Sequence, residues 1–177
     1  MLLALDVAYG SDTAAVASVC FADWPDAEPV HADAWRVDGP PADYQPGEFY
    51  KRELPYLLEA IARLTEPPDV IVIDGYVWLD AAQRPGLGAR LFDALGQRIP
   101  VVGVSKTPFR ADTFSERVLR GSSRTPLYVT STGLPARQAA DAVRAMHGPH
   151  RLPSLLKRVD RLCRDALDGN HSTPAVS

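Results

Sequence analysis

The sequence predicts a mixed α/β sheet with helices packed on its faces, and three observations carry that expectation. Short apolar runs of strand length open the chain. A β-branched run, DVIVID at 69–74, has the unbroken hydrophobicity of a strand buried on both faces. That run is followed by a helical pattern and a second apolar run, PVVGVS at 100–105, the strand–helix–strand order of a parallel crossover. With 46% hydrophobic and 23% charged residues the composition is that of a folded domain and excludes intrinsic disorder.

Residues 2–8 (LLALDVA) and 13–21 (TAAVASVCF) flank the turn residues Tyr9, Gly10, Ser11 and Asp12 and read as a hairpin. A weaker third strand is expected over 30–37. Three prolines and a glycine between Asp38 and Pro46 exclude a helix and place a surface loop there. A helix is expected over 47–64, where Phe49, Leu54, Leu57, Leu58, Ile61 and Leu64 follow the i, i+3, i+4 rule, with Pro55 kinking it or marking a change of direction near its middle. Pro67 and Pro68 end it before the 69–74 strand. A helix over 85–97 leads to the strand at 100–105. Residues 114–120 and 126–131 read as a second hairpin, and helices follow at 135–146 and 153–167.

A length of 177 residues, at about 100 to 200 residues per domain, predicts one domain over 1–167 with a polar, flexible tail from Asp168 to 177. No segment approaches the roughly 18 uncharged apolar residues of a membrane helix. The opening MLLALDV meets Asp6 too soon for a signal peptide, so the expected location is cytoplasmic. Cys20 and Cys163 lack metal-ligand spacing, which argues against a disulfide framework and a zinc site. The single-domain size makes a monomer the default.

Charge is unevenly divided. Residues 1–97 carry 6 Lys/Arg and 16 Asp/Glu, net −10, whereas residues 98–177 carry 13 and 6, net +7. An acidic half that gathers cations beside a basic half suits a polyanionic ligand; uneven surface charge is the plainer reading. Three acids stand in telling places: Asp6 inside the first strand, Glu53 in the first long helix and Asp74 at the end of the central strand. A carboxylate in an otherwise Leu, Ala and Val strand is costly to desolvate unless something compensates it, and a bound cation is one such compensation. Any one of the three alone is as readily a structural ion pair. Together, with hard oxygen donors and no Cys or His beside them, they favour Mg²⁺ or Mn²⁺ over Zn²⁺. Such a site suits metal-assisted attack of water on a phosphodiester, with Lys106, just past the 100–105 strand, offsetting phosphate charge.

The pieces LALDVAY at 3–9, DYQPGEFYKRELPYLLEAI at 43–61, PDVIVIDG at 68–75, PVVGVSK at 100–106, LRGSSRTPLYVT at 119–130 and HRLPSLLKRVDRL at 150–162 resemble, in order and over nearly the whole chain, the endonuclease V family. The most specific is the second, a Tyr-x-Pro-Gly loop running into a helix with Arg-Glu-x-Pro. The resemblance implies a ribonuclease H-like fold and metal-dependent cleavage near inosine or deoxyinosine, one phosphodiester beyond the lesion on its 3′ side. It implies metal and catalytic roles for Asp6, Glu53 and Asp74 and an active-site lysine at Lys106. Tyr44, with Pro46 and Gly47, matches the loop that wedges into the nucleic acid, and Gly75 falls where backbone approaches the displaced base.

Two departures bear on this. The family's His-Pro-Arg run after the Asp-Gly pair is replaced by YVWLDAAQRPG, with Asp80 near the expected His. The family's second His has no counterpart in YVTSTGLP at 128–135. Asp80 and Asp141 are therefore candidates for a fourth metal ligand, Asp141 on the helix after that strand. Tyr76, Trp78 and Phe109 are candidates to stack a base or to pack the loops. The basic residues Arg151, Lys157, Arg158, Arg161 and Arg164 suit either a phosphate track or a solvated helix diluted by Asp160 and Asp165. His147 and His150 read as surface residues. Two other functions stay open at this point: a nucleic-acid-binding homologue that no longer cleaves, and a ribonuclease H-like nuclease of other specificity. The sequence does not choose between DNA and RNA.

Overall fold

A computed structural model describes residues 1–39, 50–110 and 112–169. Among the described residues seven strands, β1 (Leu2–Tyr9), β2 (Thr13–Phe21), β3 (His31–Asp38), β4 (Val70–Asp74), β5 (Val101–Ser105), β6 (Glu116–Val118) and β7 (Leu127–Thr132), form one sheet in the order β3-β2-β1-β4-β5-β7-β6. The opening hairpin is antiparallel, with Leu5 opposite Ser18 and Asp6 opposite Ala17. β4 then joins β1 in parallel, Leu5 in register with Ile73, and β5 joins β4 in parallel. Chain reversal at the turn after β6 returns β7 antiparallel to both β6 and β5. A central parallel pair flanked by antiparallel strands is the mixed sheet that the sequence predicts.

Among the described residues four helices, α1 (Tyr50–Ala62), α2 (Leu87–Ala94), α3 (Ala136–Ala145) and α4 (Ser154–Leu167), cover the sheet. Period-two alternation sorts the strand side chains. Leu3, Leu5, Ile71 and Ile73 pack with Leu57 and Ala60 of α1 and Leu91 of α2. Leu2, Ala4 and Val72 pack on the opposite face with Val143 of α3 and Leu155, Val159 and Cys163 of α4. These central strands are apolar at successive positions because both faces are covered.

α1 runs as one helix through Pro55. Pro55 is the sixth residue of α1, so its missing N–H removes one bond at the start of the helix and leaves the later turns intact. The second hairpin is present, but β6 is only three residues long. The candidate wedge residues Tyr44, Pro46 and Gly47, and the tail beyond residue 169, lie outside the described residues. Among the described residues no helix is long and apolar enough to cross a membrane.

Candidate active site

Strand parity decides where Asp6 and Asp74 point. Asp6 shares its parity with Leu2 and Ala4, and Asp74 shares its parity with Val72, so both leave the sheet on the face that α4 covers. They are the next residues beyond the Leu5–Ile73 pair, where the parallel ladder ends, side by side with Asp6 in mid-β1 and Asp74 at the carboxyl end of β4. Sites in open α/β sheets characteristically form at such strand ends. Asp160 of α4 completes the group: one carboxylate oxygen from each of Asp6, Asp74 and Asp160 lies within 4.8 Å of the others. α4 is held at this height by the Cys163 thiol, which donates to the Ala15 carbonyl at 3.0 Å and also reaches the Asp6 carbonyl at 3.4 Å. Burial pushes that thiol up to about 12, which keeps it a donor.

Glu53 arrives from the other face. It lies in the first turns of α1, one helical turn before Leu57, and is 9% exposed. Glu53, Asp6, Asp74 and Gly75 line one cleft of about 280 Å³, whose apolar wall includes Val7, Leu57 and Leu87. Burial, then Asp6 and Asp74, push the Glu53 carboxyl from 4.5 up to about 8, against the pull of Arg52. Burial, then Asp74 and Asp160, push Asp6 from 3.8 up to about 7, against the Val7 N–H and Lys106. The Val7 N–H bonds Asp6 Oδ1 at 2.9 Å.

The Lys106 Nζ donates to Asp74 Oδ2 at 2.9 Å and to Asp160 Oδ1 at 3.1 Å. Burial works against its charge, but these two partners outweigh burial and hold it above the ordinary lysine value. Arg164 donates to the same Asp160 oxygen at 3.0 Å. Arg151 fixes the lysine's backbone, its guanidinium donating to the Lys106 carbonyl and, at 2.7 Å, to that of Pro126.

Gly75 has φ +132, a region that favours glycine, and the turn it makes is tightly packed beneath. A Cβ on Gly103 would lie 2.6 Å from the Gly75 carbonyl oxygen and 3.0 Å from the Val77 nitrogen. The Thr130 hydroxyl accepts the Val77 N–H at 2.8 Å and the Ser131 carbonyl accepts the Trp78 indole N–H at 2.9 Å. Trp78 is thus a loop anchor. Tyr76 is buried, its hydroxyl in contact with the Asp112 carboxylate at 3.0 Å while accepting the Phe109 N–H at 3.1 Å. Phe109 is half-buried, between the guanidiniums of Arg84 and Arg110 at 5.8 and 5.5 Å from its ring centre.

Neither sequence candidate for the fourth ligand joins the cluster. Asp80 is engaged by the Arg84 backbone N–H at 3.0 Å and its guanidinium at 3.2 Å, which hold its carboxyl low. Asp141 is exposed and paired with Arg144. Asp160 is the residue that sequence reasoning missed, having been read as a charge diluting a basic helix. The signal was present: Leu156 and Asp160 are four residues apart, Asp160 and Cys163 three, so the carboxylate lies on the inward stripe of α4. Most of that helix's basic residues are engaged within the chain, Arg158 with Glu28 at 2.6 Å and Arg161 with Asp165 at 3.5 Å. His147 bonds the Ser154 hydroxyl at 3.0 Å and is exposed.

An all-carboxylate donor set suits a hard divalent cation. Four acids share three nearby cations, Lys106, Arg164 and, beside Glu53, Arg52, and Asp6 and Glu53 are still driven toward their neutral forms, so the charge balance fits an added metal ion.

Comparison with known proteins adds three findings. The family model of Endonuclease V matches residues 1–144. An Endonuclease V of Streptomyces coelicolor is 30% identical over 183 residues, covering 92% of this chain and 77% of that protein. Among solved structures, the Endonuclease V of Streptomyces avermitilis superposes with a TM-score of 0.72 at 28% identity, covering 95% of this chain and 81% of the other. The Ciona intestinalis Endonuclease V bound to a 23mer DNA containing an inosine followed by a ribo-adenosine superposes with a TM-score of 0.79 at 15% identity, covering 96% and 86%, a likeness of fold.

Proposed function

The chain belongs to the Endonuclease V family, a family of nucleases, and from that premise we propose that it is a divalent-metal-dependent endonuclease. Its proposed reaction is hydrolysis of a phosphodiester near a deaminated purine, inosine or deoxyinosine, one bond to the 3′ side. The observation that carries this reading is the convergence of the Asp6, Asp74 and Asp160 carboxylates where the β1–β4 ladder ends, with Lys106 among them and Glu53 lining the adjoining cleft.

Asp6, Asp74 and Asp160, with Glu53 across the cleft, would hold Mg²⁺ or Mn²⁺. Such an ion polarises a phosphoryl oxygen and lowers the pKa of bound water. The protein's own contribution is position and charge. β1 and β4 fix two carboxylates on a rigid ladder, so their spacing does not depend on a loop. Glu53, whose carboxyl is driven up by burial and its acidic neighbours, would be drawn back to its charged form by an ion bound beside them. Lys106 supplies positive charge at the mouth of the cluster, where the phosphate's developing charge is offset. Gly75, without a Cβ at the cleft wall, leaves backbone available to a displaced base. Tyr44, Pro46 and Gly47 are proposed to hold the nucleic acid open beside the lesion.

Labelled inosine-containing and undamaged oligonucleotides incubated with Mg²⁺ or Mn²⁺ test the proposal. Scission at the lesion by the native chain, lost in Asp74→Asn while binding is retained, supports it. Retention without scission would identify a binding homologue, and lesion-independent nicking would identify a nuclease of other specificity. Unchanged turnover in Asp74→Asn would refute the mechanism.

A further inference from the structure

The carboxylate cluster already contains a cation of its own. The Lys106 ammonium bridges Asp74 Oδ2 and Asp160 Oδ1 at 2.9 and 3.1 Å, and these residues supply two of the three converging carboxylates. A Mg²⁺ ion takes its oxygen ligands at about 2.0 to 2.1 Å in near-octahedral order, a demand that an ammonium bridging two of the same carboxylates opposes. Ligation by Asp74 and Asp160 and their present pairing with Lys106 are therefore in competition.

We infer that divalent-ion uptake by this chain is an exchange, in which the ion displaces the Lys106 ammonium from Asp74 and Asp160 and thereby frees it for the substrate phosphate. This rests on the reading of the cluster as a metal site. The exchange has a route: the Lys106 side chain is 37% exposed, so its flexible stem can swing into the cleft mouth while Arg151 keeps the backbone in place. Arg164 also donates to Asp160 Oδ1 at 3.0 Å and competes at that one carboxylate, whereas Lys106 bridges two. The lysine then has two successive partners. It neutralises the cluster before the ion arrives, and it meets phosphate only once the ion is seated, so the phosphate-binding charge is presented by the loaded site.

The test is ion binding without substrate. Mn²⁺ titrations of the full chain, followed by electron paramagnetic resonance of the free ion, compare the native protein with Lys106→Met, Arg161→Met and Asp74→Asn. Lys106→Met keeps the stem and removes the bridging cation, and it is expected to bind Mn²⁺ about two- to thirty-fold tighter, the worth of two partly exposed ion pairs. Arg161→Met, which removes a charge paired with Asp165, is expected to change affinity less than twofold. In the native chain, the ¹⁵N signal of the Lys106 ammonium, assigned by its absence from Lys106→Met, is expected to move on saturation with diamagnetic Mg²⁺. Equal Mn²⁺ affinity in native and Lys106→Met protein, or an ammonium signal indifferent to Mg²⁺, overturns the exchange and leaves the metal site standing. Mn²⁺ affinity unchanged in Asp74→Asn overturns the metal reading itself, and the exchange with it.

Discussion

Replacing Asp6 by Asn is predicted to stabilise the protein in the absence of divalent ions while removing its activity. The Asp6 carboxyl rises from 3.8 to about 7 on folding, because burial and then Asp74 and Asp160 penalise its charge. An acid with a raised folded-state value binds more protons folded than unfolded between those values, so stability falls as pH climbs from about 4 and the loss is complete above about 7. At about 1.4 kcal/mol for each tenfold change in the proton equilibrium, ionised Asp6 costs folding about 4 kcal/mol, a figure shared with the groups that titrate alongside it. Asn keeps the acceptor for the Val7 N–H and turns a donor toward Asp74 and Asp160, so the change removes the like-charge repulsion without leaving a hole. Urea unfolding in chelator at pH 8 is expected to show Asp6→Asn more stable by about 2 to 4 kcal/mol, and at pH 4 the two proteins should converge. A variant less stable than native at pH 8, or a difference independent of pH, would refute the electrostatic account of the cluster.

Asp160→Asn is expected to weaken Mn²⁺ binding about tenfold or more, whereas Asp141→Asn, at an exposed pair with Arg144, should leave it unchanged; calorimetric titration separates the two. Gly103→Ala should cost about 1 to 3 kcal/mol and lower activity more than the stability loss explains, since its Cβ would meet the Gly75 carbonyl and Val77 nitrogen, as read by urea unfolding beside cleavage rates. Leu57→Ala, at a side chain 2% exposed between α1 and the sheet, should cost about 2 to 5 kcal/mol and loosen the helix that carries Glu53, measured by the same unfolding assay.

The sheet was legible because its signals are local. The β-branched 69–74 run and the turn residues after Tyr9 reveal strands without knowledge of their partners, and the crossover length makes β4 and β5 parallel. Asp6 and Asp74 stood out for the same reason, a charge in an apolar strand being conspicuous in one dimension. Asp160 was not legible from charge, because a helix with Lys157, Arg158, Arg161 and Arg164 around it reads as a solvated basic surface. Only the face it occupies, between Leu156 and Cys163, marks it as inward, and its partner Lys106 lies 54 positions away. The Trp78–Ser131 and Val77–Thr130 bonds that hold the Gly75 turn join residues 53 apart, and nothing local in either segment announces them.

Anomalous diffraction from Mn²⁺-soaked crystals is the most direct measurement of the central claim. A manganese peak is predicted where the β1–β4 ladder ends, beyond the Leu5–Ile73 pair, with carboxylate oxygens of Asp6, Asp74 and Asp160 about 2.0 to 2.3 Å away and Glu53 facing it across the cleft. A peak elsewhere, or crystals whose carboxylate cluster stays metal-free at saturating Mn²⁺, would contradict it.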